Sequence, residues 1–161
     1  MSKMRNTADL CDDHANKITV CQPIFRSFGK RKAFGGPVST VRCFEDNSRV
    51  KEAVNAPGEG RVLVVDGGGS YRCALLGDML GEAAVKNGWV GVIVHGCIRD
   101  SAALDGMNLG IRALGTIPLR SEKRGEGQRD VPVQMAGVMI QPGDFVYADE
   151  DGIIFSKQAL T

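Results

Sequence analysis

Two apolar segments that flank a helical one constrain the fold of this chain more than any other feature. RVLVV (61–65) and VGVIVHG (90–96) are continuous apolar runs, typical of strands that are buried on both faces. Between them, DMLGEAAVKNG (78–88) has the spacing of a helix. The predicted inner side of that helix carries Met79, Leu80, Ala83 and Ala84. Because parallel strands need a crossover of this kind, the pattern predicts one strand-helix-strand unit.

Shorter elements precede this unit. Thr7 is predicted to cap a helix that runs to about His14, and VSTVRCFE (38–45) alternates as a half-buried strand. A second helix is predicted to open at Asp46 to Ser48 and to run to about Asn55.

The last part of the chain has a different character. VPVQMAGVMIQPGDFVYADEDGIIFS (131–156) is a set of short strands joined by the turn-formers Ala-Gly, Pro-Gly-Asp and Asp-Glu-Asp-Gly, which predicts antiparallel pairing. One crossover beside many short strands favours an α/β fold, a mixed sandwich or barrel, over a doubly wound sheet. The 161 residues are expected to form a single domain, 1–161.

Charge and apolar content exclude several classes of partner. The 20 Lys and Arg residues nearly cancel the 19 Asp and Glu residues, so no overall field favours nucleic acid or an anionic membrane. No apolar run approaches the roughly 20 residues that span a bilayer. We therefore expect a cytoplasmic protein with no direct binding to nucleic acid and no membrane attachment.

The thiols and imidazoles make a zinc site of the Cys/His kind improbable. The cysteines are odd in number and too far apart in sequence for a C-x-x-C pair, which indicates reduced thiols: Cys11, Cys21, Cys43, Cys73 and Cys97. Imidazole could come only from His14 and His95. Any metal is therefore expected to be a hard cation with oxygen ligands.

The glycine turn in VLVVDGGGS (62–70) looks like a nucleotide-binding turn but fails the tests for one. A dinucleotide fingerprint needs G-x-G-x-x-G opening directly into a helix, whereas Gly67 to Gly69 are consecutive and SYRCALLGD separates them from the helix. The glycines are therefore predicted to be scaffold that lets a neighbouring segment approach closely.

Two junctions carry the groups most able to perform chemistry. LLGDML (75–80) lies at the start of the predicted helix, and GCIRD (96–100) follows the next strand. In a crossover unit these two places can face one cleft, so Asp78, Arg99 and Asp100 are predicted to converge. Taken singly, Asp78 also fits a plain helix cap, and Arg99 with Asp100 fits a solvated pair after a strand.

Together these groups suit a small 2-oxo acid chelated by a metal. The N–H groups of Met79 and Leu80 at a helix start can hold a carboxylate. Arg99 adds a planar fork for carboxylate or carbonyl oxygens. Asp100 can ligate Mg²⁺, which commonly uses one or two protein carboxylates, and Asp78 can orient a water on it. His95 and Cys97 are expected to be packing residues, and the charges of 120–129 a solvated loop.

Three segments resemble one known family: FGGPVSTVRCFEDNS, the run from GRVLVV through GCIRD, and YADEDGIIFS. They are similar to the regulator of ribonuclease activity A and its relatives, the 4-hydroxy-4-methyl-2-oxoglutarate aldolases, from about Thr7 to Ser156. The resemblance implies a swivelling β/β/α fold and a homotrimer. It also implies that Gly77, Asp78, Met79, Leu80 and Arg99 bind substrate and that Asp100 binds the metal.

The family motif is an Asp, twenty residues, Arg-Asp, two residues and an acid. Asp78, Arg99 and Asp100 match three of its four positions, but Ala103 stands at the fourth, and the nearest later carboxylate is Asp105. The presence of the Arg-Asp pair favours the enzymes of the family over the members without aldolase activity.

The resemblance implies a lyase that uses Mg²⁺ or Mn²⁺. Carbon-carbon cleavage leaves a pyruvate enolate whose oxyanion the metal stabilises, and loss of carbon dioxide from oxaloacetate gives the same enolate. The general base is not identifiable; a water near Asp78 is one candidate. The alternative is a protein that restrains a ribonuclease of the E type or an RNA helicase through its surface, without catalysis of its own.

Overall fold

The computed structural model describes residues 4–160, which form one ten-stranded mixed sheet, a two-stranded sheet and four short helices. The helices are α1 (Thr7–His14), α2 (Ser48–Val54), α3 (Asp78–Lys86) and α4 (Ser101–Asp105), with a 3-10 turn at Ala15–Lys17. The strands are β1 (Ile18–Val20), β2 (Arg26–Phe28), β3 (Phe34–Arg42), β4 (Val62–Asp66), β5 (Ala74–Leu76), β6 (Gly91–Ile98), β7 (Gly110–Thr116), β8 (Gln128–Arg129), β9 (Val133–Met135), β10 (Val138–Ile140), β11 (Phe145–Asp149) and β12 (Gly152–Ser156).

The strand-helix-strand prediction is confirmed and extended. The main sheet has the order β1-β12-β11-β3-β4-β6-β7-β2, with β5 added to β6 and β8 added to β3. The pairs β3–β4, β4–β6 and β6–β7 are all parallel, so the sheet has three crossovers rather than the one that the sequence predicts. The first crossover, through α2, joins elements that were each predicted but not paired, and the last was missed because its helix, α4, has only five residues.

The C-terminal part is antiparallel, as predicted. β11 and β12 form a hairpin across the Asp-Glu-Asp-Gly turn, β9 and β10 form another across Ala-Gly, and β11 joins the parallel part by pairing with β3. The predicted fold class, a mixed α/β sheet with few helices, is confirmed. The loop predicted over 120–129 also contributes a short strand, β8, which pairs with the end of β3.

The bounds of the three predicted helices agree with the structure to within about two residues, and the cap of α1 is the one that differs. Its cap is Asn6, whose side chain accepts the Asp9 N–H, whereas Thr7 is the first helical residue and donates its N–H and hydroxyl to the Asp149 carboxylate. Thr7 was mistaken for the cap because Thr and Asn are both common caps, and the long-range pairing with Asp149 has no local signal.

The side of α3 that was predicted to face the core is only partly buried. Ala84 is buried, and Leu80 and Ala83 are half-buried against the core on that side of the sheet. Met79 is 78% exposed, because it lies in the first turn of α3, beyond the core and beside an open cavity.

The glycine turn after β4 allows three segments to pack closely, as predicted for scaffold. A Cβ on Gly67 would lie 2.5 Å from Leu75 Cδ1 and 2.8 Å from the His95 carbonyl oxygen. The Gly69 N–H donates to the same carbonyl at 3.1 Å. Gly67 therefore lets β5, which runs directly into α3, approach the end of β6.

Substitution of Gly67 by Ala is expected to lower the free energy of unfolding by about 1–3 kcal/mol, because the added methyl overlaps the backbone of β6. Urea denaturation followed by circular dichroism measures the change. Gly106→Ala is the matched control, since Gly106 has φ −84° and the nearest atom to its added Cβ is 3.4 Å away. Equal stability of the two variants would contradict the close-packing role of Gly67.

Candidate functional site

The candidate site lies where β5 and β6 end side by side. The two strands pair in parallel, with Leu76 opposite Ile98, and the Arg99 N–H donates to the Leu76 carbonyl at 2.9 Å. The chain then enters α3 directly after β5 and reaches Arg99 and Asp100 directly after β6. Parallel pairing thus brings the two segments that the sequence singled out to the same edge of the sheet.

Asp100 joins the two segments. Its backbone is left-handed, with φ +58°, and its Oδ2 accepts the Asp78 N–H at 2.9 Å. A Cβ on Gly77 would lie 2.8 Å from that oxygen, so a larger residue at this position would push the carboxylate away. The predicted convergence of Asp78, Arg99 and Asp100 is therefore present in the structure.

The first turn of α3 is partly occupied by the protein's own carboxylates. Asp78 Oδ1 accepts the Met79 N–H at 2.8 Å, and Asp100 accepts the Asp78 N–H. The Leu80 N–H makes no hydrogen bond to any residue in 4–160. Two N–H groups are expected to bind a carboxylate. That of Leu80 is thus free to donate, whereas that of Met79 becomes free only when Asp78 Oδ1 no longer accepts it.

A cavity of about 150 Å³ covers this junction and contains all the predicted site residues. It is lined by Asn47, Lys51, Ala74, Leu76, Gly77, Asp78, Met79, Leu80, Arg99, Asp100, Arg120 and Lys123. The lining has four cationic side chains and only two carboxylates. Such an excess of positive charge suits a small anion with more than one carboxylate.

Four polar lining residues were missed by the sequence analysis. Asn47 and Lys51 come from α2 and the residue before it, and Arg120 and Lys123 come from the segment after β7. Only the parallel pairing of β3 with β4 brings α2 to this edge, so no local motif points to them. A second cavity of about 710 Å³ adjoins the first and shares Arg120 and Lys123 with it.

The segment predicted as a solvated loop has mostly exposed charges, as predicted, but its backbone is fixed on one buried carboxylate. Asp46, which is 0% exposed, accepts the hydroxyl and N–H of Ser48 through Oδ1 and the N–H groups of Arg124 and Glu126 through Oδ2. Burial alone would raise the pKa of Asp46, but these hydrogen bonds outweigh it and lower the pKa to about 2. Asp46 therefore holds the segment that carries Arg120 and Lys123 against α2.

Neither residue near the fourth motif position supplies a carboxylate to the cavity. Ala103 is exposed on α4. Asp105 Oδ1 accepts the Gly29 N–H at 2.9 Å, and Asp105 is absent from the lining of either cavity. Asp105 thus fixes the loop after β2 and does not replace the missing acid.

The carboxylates present fit a hydrated divalent cation. Within residues 4–160 there is no group of three or more His, Cys, Asp or Glu side chains that could enclose a metal. Asp100 and Asp78 lie side by side, and Mg²⁺ commonly keeps several waters and takes only one or two protein carboxylates. This donor set is compatible with an open magnesium-type site, in which Asp100 would hold the ion.

The remaining candidates have structural roles. Neither of the two cavities is lined by Gly67, Gly68 or Gly69. Cys97 is buried, and burial raises its pKa, which keeps the thiol protonated and unreactive. His95 is half-buried and packs edge-on against Phe25, with ring centroids 6.3 Å apart.

Asp46→Asn is expected to lower the free energy of unfolding by about 2–3 kcal/mol at neutral pH, because an amide cannot accept hydrogen bonds on both sides. The folded-state pKa lies below the ordinary value of 3.8, so this stabilisation is full above about pH 4 and is lost as the pH falls towards 2. Urea unfolding of wild type and variant at several pH values measures the difference. Asp12→Asn, on the exposed side of α1, is the control for loss of a charge, and a constant difference down to pH 2 would contradict the role of Asp46.

Comparison with known proteins shows the family of the chain. The family model for RraA-like proteins, described as Aldolase/RraA, matches residues 7–155. A relative from Alkalilimnicola ehrlichii, named "Putative 4-hydroxy-4-methyl-2-oxoglutarate aldolase", is 60% identical over 154 residues, which cover 96% of each chain. A relative of the same name from Laribacter hongkongensis is 55% identical over 154 residues, covering 96% of this chain and 97% of its own.

Solved structures show the same fold. A protein from Geobacillus kaustophilus HTA426, described as an S-adenosylmethionine: 2-dimethylmenaquinone methyltransferase, is 49% identical with a TM-score of 0.93, covering 97% of each chain. The RNA-processing inhibitor RraA from Thermus thermophilis is 43% identical with a TM-score of 0.93, covering 97% of this chain and 94% of its own. No helix in residues 4–160 has both the length and the apolar character needed to cross a membrane. By the extent of these matches, the chain belongs to the RraA-like family of aldolases and RraA proteins.

Proposed function

We propose that this protein is a divalent-metal-dependent lyase that cleaves 4-hydroxy-4-methyl-2-oxoglutarate and decarboxylates oxaloacetate through a common pyruvate enolate. The observation that carries the proposal is the convergence of Asp78, Arg99 and Asp100 in one cationic cavity at the start of α3. The names of the relatives that are 54–60% identical to this chain support the first substrate.

The cationic side chains of the cavity account for binding of a dicarboxylate. Arg99 is half-buried and donates to the Pro118 carbonyl at 3.4 Å, which leaves most of its five N–H donors for the 2-oxo acid end of the substrate. The Leu80 N–H adds a backbone donor on the same side. Arg120 and Lys123 then lie where the cavity widens, and they neutralise the distal carboxylate.

Asp100 and Asp78 have different roles in the proposed reaction. Asp100 is held by the Asp78 N–H through Oδ2, so its Oδ1 is left to bind a cation. A Mg²⁺ or Mn²⁺ ion held there supplies a Lewis acid for the oxyanion that develops on the pyruvate unit. Asp78 uses Oδ1 on its own helix, and its Oδ2 is left to hold a water that takes the substrate proton. Because the fourth motif position is Ala103, that water is the proton acceptor that we assign.

Purified protein with oxaloacetate and Mg²⁺ or Mn²⁺ is expected to release pyruvate, and Arg99→Ala or Asp100→Ala is expected to lower the rate at least 100-fold. Loss of charged contacts made to substrate and cation costs about 3 kcal/mol or more, which is the reason for the size of this effect. A coupled lactate dehydrogenase assay measures pyruvate, with 4-hydroxy-4-methyl-2-oxoglutarate tested side by side.

The matched control is Asp105→Asn, a nearby carboxylate that lines neither cavity. It is expected to keep the activity of the wild type. Comparable turnover in Arg99→Ala and Asp100→Ala would refute the assignment of the site, and activity that persists in excess chelator would refute metal dependence.

We also propose that the protein acts as a homotrimer in the cytoplasm. Met79 in the lining of the smaller cavity and Leu119 in the lining of the larger one are exposed apolar side chains. Contact with neighbouring copies would cover them and close the open side of the site. Within residues 4–160 all five cysteines are free, which agrees with a reducing compartment.

A second candidate function is the restraint of an RNA-degrading enzyme by direct binding, which the 43% identity to the RNA-processing inhibitor RraA supports. If this function holds, a purified ribonuclease of the E type or an RNA helicase is expected to form a stable complex with the protein in size-exclusion chromatography. The complex should persist in Arg99→Ala and Asp100→Ala, because binding through the surface does not need the cavity. Separate elution of both partners at micromolar concentration would reject this function.

A further inference from the structure

A third cavity lies at the other edge of the parallel part of the sheet. It has a volume of about 660 Å³, within the range of ligand pockets, and shares no lining residue with the two cavities of the candidate site. The candidate site follows the ends of β5 and β6, whereas Arg112, in the wall of this third cavity, is the third residue of β7. Asp149, in the same wall, ends β11 where that strand reaches the start of β3. The proposed reaction therefore makes no use of this cavity.

Arg112 is a buried cation without a carboxylate partner. Its side chain is 4% exposed. Nη1 donates to the Ile111 carbonyl at 3.1 Å, and Nη2 donates to the carbonyls of Lys32 at 2.8 Å and Asp149 at 3.3 Å. Within residues 4–160 it forms no ion pair. Because buried charges are ordinarily paired, a counter-charge for this guanidinium is missing.

The Asp149 carboxylate does not supply that counter-charge, because it is bound elsewhere. Oδ2 accepts the Thr7 N–H at 2.7 Å, and Oδ1 accepts the Thr7 hydroxyl at 2.7 Å and the Asp151 N–H at 3.0 Å. These hydrogen bonds hold the carboxylate to α1 and to the turn after β11. Burial lowers the pKa of Arg112, and the charges of Asp149 and Glu150 offset only part of this effect.

Arg112 Nε is free to bind a ligand. It donates to no group within residues 4–160. In the same part of the chain, the buried side-chain atoms that have neither a partner nor access to solvent are Asn47 Oδ1 and His95 Nδ1, so Nε is accessible. A guanidinium only donates hydrogen bonds, and a carboxylate matches both its charge and its planar shape. The group that fits Nε is therefore a carboxylate.

The rest of the wall determines what else such a ligand carries. Pro23, Phe25 and Ile153 provide apolar surface in the lining. The lining has two cationic side chains, Arg112 and Lys32, against three carboxylates. A second negative charge on the ligand is thus repelled here, in contrast to the candidate site with its excess of cations. The cavity suits one carboxylate attached to an apolar body.

We propose that this cavity is a second ligand site, which binds a small monocarboxylate with an apolar body. The carboxylate pairs with Arg112 Nε and supplies the missing counter-charge, and the apolar body lies against Phe25 and Ile153. This site is independent of the proposed lyase activity, because none of its residues lines the candidate site.

Two compounds of the same shape test the inference. 3-Phenylpropanoate has the carboxylate and an aromatic ring, whereas 3-phenylpropanamide keeps the ring and loses the charge. Calorimetry with the full chain in excess chelator, which keeps divalent cations out of the candidate site, is expected to show the wild type binding the acid about 10-fold more tightly than the amide. Glutarate, which has two carboxylates and no apolar end, is expected to bind about 10-fold more weakly than 3-phenylpropanoate.

Arg112→Gln is expected to bind the acid and the amide with equal Kd values, through weaker binding of the acid. Arg61→Gln is the matched control and is expected to keep the preference of the wild type. Arg61 also donates to backbone carbonyls and lies over an aromatic ring, 5.6 Å from the Trp89 centroid, but it lines none of the three cavities.

Ser27→Trp blocks the cavity while Arg112 stays in place. Ser27 is exposed in the lining and lies opposite Arg112 in the β2–β7 pair, so a large side chain there fills the space beside the guanidinium. It is expected to weaken binding of 3-phenylpropanoate about 10-fold. Thr19→Trp, at an exposed position of the edge strand β1 outside the lining, is expected to bind as the wild type does. Thermal unfolding shows which variants are folded.

The outcomes separate the inference from the proposed function. Equal binding of acid and amide by the wild type, or binding of neither, overturns the inference even if Arg112→Gln does not fold. Unchanged affinity in a folded Ser27→Trp also overturns it, as does loss of the preference in Arg99→Ala alone, because that result places the ligand in the candidate site. A wild type that binds the acid through Arg112 but releases no pyruvate from oxaloacetate leaves the inference standing and refutes the proposed function.

Discussion

The parallel pairing of β3, β4, β6 and β7 is the constraint on which the candidate site depends. Parallel neighbours end at the same edge, so every residue that follows one of them lies beside the residues that follow the others. Asp46 and Asn47 follow β3, the glycine turn follows β4, and Arg99 with Asp100 follows β6. The site is therefore assembled from segments that are distant in sequence, and no single segment contains it.

Two carboxylates, the buried Asp46 and the exposed Asp100, fix this edge in different ways. Asp46 accepts hydrogen bonds from groups of its own chain and so fixes the charged segment around Arg124 beside α2. Asp100 makes one such hydrogen bond, to the Asp78 N–H, and keeps an oxygen for other partners. Surface ion pairs such as Arg49–Glu52 add little beside these contacts, because exposed pairs contribute about 0–1 kcal/mol.

Much of this arrangement could be predicted from sequence. The features that were missed depend on contacts between segments that are distant in sequence. The apolar runs of β4 and β6 and the start of α3 are local signals, so the convergence of Asp78, Arg99 and Asp100 could be derived from them. Lys51, Arg120 and Lys123 read as ordinary solvated charges, because their place in the cavity depends on contacts between distant segments. The start of α2 shows the same limit, because the hydrogen bonds that Asp46 accepts from Arg124 and Glu126 join segments that are distant in sequence.

The left-handed backbone of Asp100 has a consequence for how this chain can change over time. A residue other than glycine with φ near +58° carries a conformational cost of about 1 kcal/mol, which glycine at the same place would relieve. A change to glycine at position 100 would relieve this strain, but it would also lose the hydrogen bond from the Asp78 N–H and the one carboxylate that bridges both halves of the site. The backbone strain at Asp100 is therefore the cost of holding its carboxylate over the start of α3.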